Sequence, residues 1–164
     1  MKMMLYIVFI AALIVPTMQA TCGCPKYWVP YLNNCYRIFA EKVTWGTAER
    51  KCRNWARNAH LVSIWNNDEN QFVSRLWNTA THGLTTTDSV TSYWIGLTDS
   101  THEGRFLWSD GNRFPTYINW DSGEPNNYKG REDCASVWDK NNSKEKWNDI
   151  PCSFRHGYVC KVSQ

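Results

Sequence analysis

Seven cysteines, at positions 22, 24, 35, 52, 134, 152 and 160 of a 164-residue chain, limit the folds open to this sequence more than any other feature. That many thiols in a short chain mean disulfides or a metal cluster, and the compartment decides between them. The first twenty residues bear on the compartment. Lys2 precedes an unbroken apolar run over 3–15, Pro16 interrupts any helix, and Ala20 is small enough for a cleavage site. The run is shorter than the roughly 20 residues that cross a bilayer. It fits a secretory signal better than a membrane anchor. The reading is a signal peptide over 1–20 and one domain over 21–164, secreted and extracellular, with no membrane insertion.

Secretion makes the cysteines disulfides. Six of seven give three bridges with 15 possible pairings, and one cysteine is left over. Zinc at Cys22-Gly23-Cys24 ranks lower, because no second ligand pair stands at finger-like spacing. The formal charge is +3, from 18 basic and 15 acidic residues, and +2 once Lys2 is gone. This is too weak and too mixed for a nucleic-acid partner.

Aromatic and β-branched residues around Asn33-Asn34 predict two strands and a turn. Thr44 is a candidate cap, and Ala48, Cys52, Trp55 and Ala56 share one helical face. The run Leu61-Val62-Ser63-Ile64 predicts a short strand. Asn66 with Glu69 resembles a capping box for a second helix, whose inner face is Phe72, Val73 and Leu76. Residues 78–92 read as a surface loop. From 98 to 146 the chain is rich in Gly, Asn, Asp, Pro and Trp, and long irregular loops of this kind are usually functional. Val137-Trp138 and Gly157-Tyr158-Val159-Cys160 are the strand signals near the end, with the last strand returning beside the first. Two early helices, strands at both ends and loops between them predict an α+β fold.

Hard oxygen donors gather in four places: Asp99 with Glu103, then Glu124-Pro125-Asn126-Asn127, then Glu132-Asp133, then Asn148-Asp149. No His or Cys joins them at ligand spacing, which suits calcium, with its 6–8 oxygen ligands. One such pair is ordinary turn chemistry. Four pairs, with Cys134 and Cys152 beside two of them and a proline inside a third, favour a site.

These residues, in this order, resemble the C-type lectin-like domain in its long form with an N-terminal hairpin. The carriers are Cys24-Pro25 with Trp28 and Cys35, Trp94-Ile95-Gly96-Leu97, Trp108-Ser109-Asp110-Gly111, Asn119-Trp120, Glu124-Pro125-Asn126 and Trp147-Asn148-Asp149, with Cys134, Cys152 and Cys160. The resemblance spans 24–161. It implies two helices with small antiparallel sheets and a long irregular calcium- and sugar-binding loop region. It implies bridges Cys24–Cys35, Cys52–Cys160 and Cys134–Cys152. It implies a principal calcium site, also the carbohydrate site, at Glu124, Asn126, Glu132, Asn148 and Asp149. An accessory calcium site is implied at Asp99, Glu103, Asn127, Glu132 and Asp133, with Asn127 standing where an acid is common. The Glu124–Pro125 bond resembles the family's cis peptide.

Calcium can exchange water for two vicinal hydroxyls of a sugar. Each hydroxyl then donates to a carboxylate (Glu124, Glu132) and accepts from an amide (Asn126, Asn148). In the family, Glu-Pro-Asn goes with mannose, N-acetylglucosamine and fucose, and Gln-Pro-Asp with galactose. The expectation is therefore a non-enzymatic, calcium-dependent lectin for mannose-type glycans, suited to microbial recognition or agglutination. The alternatives are a protein-binding module, of a venom or receptor-ligand kind, and an ice-binding protein on the same scaffold. A glycosidase is disfavoured, since adjacent acids such as Glu132-Asp133 do not establish the carboxylate separation it needs. Trp94, Trp120 and Trp147 read as core, and Tyr128 as a candidate ring for stacking on sugar. The four histidines pair with no nucleophile. Asn141 heads a glycosylation sequon, and Cys22 is the candidate for a disulfide-linked homodimer.

Overall fold

The computed structural model describes residues 23–82, 92–112, 114–138 and 145–163. The residues read as a signal peptide, Cys22, Asn141 and most of the loop read over 78–92 lie outside them. No helix among the described residues is long and apolar enough to cross a membrane.

The order is β1 (Val29–Tyr31), β2 (Asn34–Val43), α1 (Trp45–Trp55), β3 (Ala59–Leu61), α2 (Asn67–Thr81), β4 (Tyr93–Thr98), β5 (Leu107–Trp108), β6 (Cys134–Trp138), β7 (Lys146–Ile150) and β8 (His156–Ser163). The fold is α+β, with two helices and a mixed sheet. All eight strands share one hydrogen-bonded network in the order β1-β2-β8-β4-β6-β7, with β3 on β8 and β5 on β4. The strand pairings are antiparallel except at the junction that joins them, where β4 runs parallel to β8. That junction is open only to a residue without a side chain at Gly157. A Cβ there would lie 2.3 Å from a ring carbon of Trp77 and 2.9 Å from the Phe39 carbonyl oxygen.

Helix α1 starts at Thr44, whose carbonyl accepts from the backbone N–H groups of Thr47 and Ala48. Its hydroxyl caps no backbone group and instead bonds the Thr47 hydroxyl at 3.0 Å. Ala48 and Cys52 are buried, but Trp55 is half exposed, stacked on Phe39 at the rim. Helix α2 uses half of the capping box: Asn66 Oδ1 accepts from the Glu69 N–H at 2.8 Å. The Glu69 carboxylate turns inward instead. It accepts from Lys161 Nζ and Tyr36 Oη, both at 2.6 Å, and from the Trp65 N–H at 2.9 Å. This buried ion pair satisfies charges that would otherwise be costly to enclose. Val73 and Trp77 are the buried apolar residues of α2, with Phe72 and Leu76 partly buried. The helix reaches Thr81, so residues 78–81 are not loop.

The strand read over 61–64 lies earlier, at Ala59–Leu61. Val62 still donates to the Val159 carbonyl and accepts from Gly96, both at 2.9 Å. Strand β7 was not foreseen, because Asn148 and Asp149 look like turn residues. Trp77, Trp94 and Trp147 are almost wholly enclosed. Burying an aromatic side chain of about 150–250 Å² is worth roughly 4–6 kcal/mol as an upper figure. Three disulfides join Cys24–Cys35, Cys52–Cys160 and Cys134–Cys152. The second ties α1 to β8, across a sequence separation of 108.

Candidate functional site

Trp147 organises the loop half of the molecule. Its indole N–H donates to Asn70 Oδ1 at 2.9 Å, and Trp108, Tyr117 and Trp120 set their rings edge-on to it at centroid distances of 5.7–5.9 Å. Its backbone N–H donates to the Asn119 carbonyl at 2.9 Å, and its carbonyl accepts from Asp121 at 2.8 Å. Segment 119–121 is thereby laid along β7. The next two residues of β7, Asn148 and Asp149, are buried in the ladder with β6.

Asp149 holds the following loop. Its Oδ1 accepts from the Asn126 N–H at 3.0 Å and its Oδ2 from the Asn127 N–H at 2.8 Å. The Glu124–Pro125 peptide is cis. Asn126 Nδ2 donates to Glu124 Oε2 at 2.6 Å. Asn127, with a left-handed φ of 41°, accepts from the Glu132 N–H on Oδ1 at 3.1 Å. Glu132 Oε2 in turn accepts from the Tyr128 N–H at 2.8 Å, where a one-turn 3-10 helix, Tyr128–Gly130, begins. One hydrogen-bonded string thus runs Glu124–Asn126–Asp149–Asn127–Glu132. Tyr128 is 62% exposed beside it.

The electrostatics of this string are unfavourable as they stand. Glu124 is pushed up to about 7, first by burial, then by the adjoining carboxylate of Asp149, with Glu132 and Asp121 adding like charge. Glu132 is also raised, by burial and by Asp149, against the pull of the Tyr128 N–H. Among the described residues the ion pairs are Lys51–Glu41 and Lys161–Glu69, with a His60–Glu49 contact beside them, and none reaches these acids. Asn148 Oδ1 is buried without a hydrogen-bond partner.

A second acidic group forms at the end of β4. Asp99, 2% exposed, accepts the Gly104 N–H on Oδ2 at 2.8 Å, while its Oδ1 is buried without a partner. Burial raises its pKa, and the charges of Glu103 and Asp133 add to this. The Thr98 hydroxyl and the Asp99 N–H both donate to the Asp133 carbonyl, at 2.6 and 3.2 Å. Glu103 is exposed at the rim. Hydrogen bonds tie Asn127 to Asp149 and Glu132, not to Asp99.

Sequence reasoning passed over Asp121 and Thr98. The first sits in an Asp-Ser-Gly turn with no distinguishing signal, whereas the second, directly before Asp99 at a strand end, could have been found. Among the histidines, His60 bonds Glu49 at 2.6 Å and His156 is held below its usual range by burial and by Lys42.

The family model for the lectin C-type domain matches residues 41–162. The chain belongs to the C-type lectin domain family. An alpha-N-acetylgalactosamine-specific lectin of Patiria pectinifera is 38% identical over 138 residues, covering 83% of this chain and 78% of that protein. A C-type lectin mannose-binding isoform of Oxyuranus scutellatus is 34% identical, covering 86% and 84%. Among solved structures, the C-type lectin CEL-I of Cucumaria echinata superposes with a TM-score of 0.73 at 28% identity, covering 84% of this chain and 96% of that one. The family and these relatives are carbohydrate-binding lectins, not enzymes, and a lectin domain implies a carbohydrate ligand.

Proposed function

We propose that the mature chain is a secreted, calcium-dependent lectin that grips mannose-type glycans at Glu124, Asn126, Glu132, Asn148 and Asp149. The carrying observation is the string itself: three carboxylates brought together with no cationic side chain paired to them among the described residues, one of them raised to about 7 by burial and then by that crowding. No three His, Cys, Asp or Glu side chains among the described residues converge closely enough to hold a metal alone. Amide and carbonyl oxygens complete the set, which is the donor mixture calcium takes and zinc does not. The buried, partnerless Asn148 Oδ1 fits that role. Bound calcium supplies a positive centre on which two hydroxyl oxygens can sit. The chain's own groups then orient the sugar, with Glu124 and Glu132 accepting hydroxyl protons and Asn126 and Asn148 donating N–H.

An accessory calcium site is proposed at the second acidic group, Asp99, Glu103 and Asp133, completed by Glu132 and Asn127. Its support is the buried, partnerless Asp99 Oδ1. The leader over 1–20, the use of Asn141 as a glycan acceptor and a homodimer through Cys22 complete the proposal, and would suit a protein that agglutinates microbial surfaces.

The two named relatives point to different sugars, and the Glu124–Asn126 pair favours the mannose group. Competition against immobilised mannan at saturating calcium tests this. Methyl mannoside should displace the protein at a concentration at least about tenfold lower than N-acetylgalactosamine, equivalent to about 1.4 kcal/mol. The reverse ranking would overturn the specificity.

A further inference from the structure

Arg37, Phe39 and Glu41 share one face of β2 at two-residue spacing, and that face meets α1. Glu41 is the natural acid for Arg37 but is already engaged. Lys51 donates to both its oxygens at 2.7 Å, and the Tyr158 hydroxyl donates to Oε1 at 2.7 Å. Arg37 is left among rings. Its guanidinium carbon lies 4.3 Å from the centroid of Trp55, 5.0 Å from Phe39 and 5.6 Å from Tyr27. Among the described residues it makes no hydrogen bond or ion pair, so its five N–H donors are unspent. The framing rings are open to solvent, Trp55 at 50% and Tyr27 at 71% exposure. Tyr27 holds a φ of 72°, rare for a bulky residue, and Lys26 Nζ lies 4.9 Å from its ring centroid. Local strain of this sort is what binding sites tend to retain.

We propose that Arg37, framed by Trp55 and Tyr27 and flanked by Lys26, is a second carbohydrate site for an acidic sugar, a pyranose carrying a sulfate ester or a carboxylate. The planar guanidinium pairs two oxygens of the anion side by side, which a lysine ammonium does not. The exposed rings cover the apolar C–H face of the same sugar. The site lies at the β1–β2 edge, four strand spacings from β7, or about 19 Å. It shares no residue with the Glu124 string and requires no cation.

The test is calorimetry in excess EDTA at low salt, with a sulfated disaccharide, a uronic-acid disaccharide and their neutral parent. One or both acidic sugars should bind above the parent, and which one binds identifies the anion. That binding should fall at least about fivefold in Arg37→Lys, which keeps the charge but loses the fork, and further in Arg37→Gln. Mannan binding in calcium should be unchanged in both variants, which also reports that they fold. Equal binding of acidic and neutral sugars, or an Arg37→Lys protein that binds like the wild type, would overturn the proposal.

Discussion

The half of the domain built on β1, β2, β8 and the helices contrasts with the half built from 99–133 around β7. In the first, buried charge is fully met: Glu69 has Lys161, Tyr36 and the Trp65 N–H. In the second, carboxylates are drawn together without a counter-charge among the described residues, and buried oxygens of Asp99 and Asn148 lack partners. Loops that were only solvated would splay such acids apart. Here Asp149 and the Trp147 ring cluster tie them together, so the polar loops are anchored to an apolar hub, with their charge left for something else to balance.

The strongest way to break the contrast is to remove the Cys52–Cys160 bridge. In the chain-entropy picture a closed loop of this length is worth about 5 kcal/mol, against about 3 for the span of 18 between Cys134 and Cys152. Urea unfolding of the double serine variants should therefore show the larger loss for the first pair. The reverse order would mean that the loop half, not the framework, limits stability.

Next in size is Glu124→Gln. Calcium affinity, read by calorimetry, should fall at least tenfold. The calcium-free protein at pH 8 should be no less stable than wild type, because a crowded charge has been removed. A large loss of stability without calcium would show that Glu124 is an ordinary structural residue.

The paired change Glu124→Gln with Asn126→Asp exchanges one acceptor and one donor while keeping the charge of the group. The ranking of mannoside over galactoside should shift severalfold toward galactose. An unchanged ranking would place specificity in the surrounding loops.

The smallest effect is the pH dependence of the calcium-free fold. Because Glu124 is raised from 4.5 to about 7, the folded state binds more protons than the unfolded state between those values. Its contribution to stability is present below that window and is lost as pH rises through 7. In chelator the melting temperature should be a few degrees higher near pH 6 than near pH 8, and Glu124→Gln should flatten the difference. With calcium the sign reverses, since protons then compete with the ion. A calcium-free fold that gains stability toward pH 8 would contradict this.

The same contrast explains what the sequence made legible. Helix α1 showed in the spacing of Ala48 and Cys52, and α2 in Asn66 with Glu69, because apolar periodicity and caps are local signals. Strand β7 did not show, because a ladder position held by Trp147 looks, at Asn148 and Asp149, like a turn. The donor residues of the loop half were readable one by one, as clustered acids and amides. Their connection was not, since Asn126 and Asn127 reach Asp149 through backbone N–H groups that no side-chain pattern records. The inward turn of Glu69 to Lys161, 92 residues away, was hidden for the same reason. Trp55 misled because helical spacing marks a face but not how far along the helix the core extends.

The central claim is that the carboxylate string around Asp149 is a calcium-held sugar site. Binding to mannan-coated surfaces, measured with calcium at about 1–5 mM and again in excess EDTA, tests it most directly, since extracellular calcium modules bind at about 10⁻⁴–10⁻³ M. Binding should be strong with calcium, vanish with chelator and return when calcium is restored; mannan binding undiminished in EDTA would contradict the account.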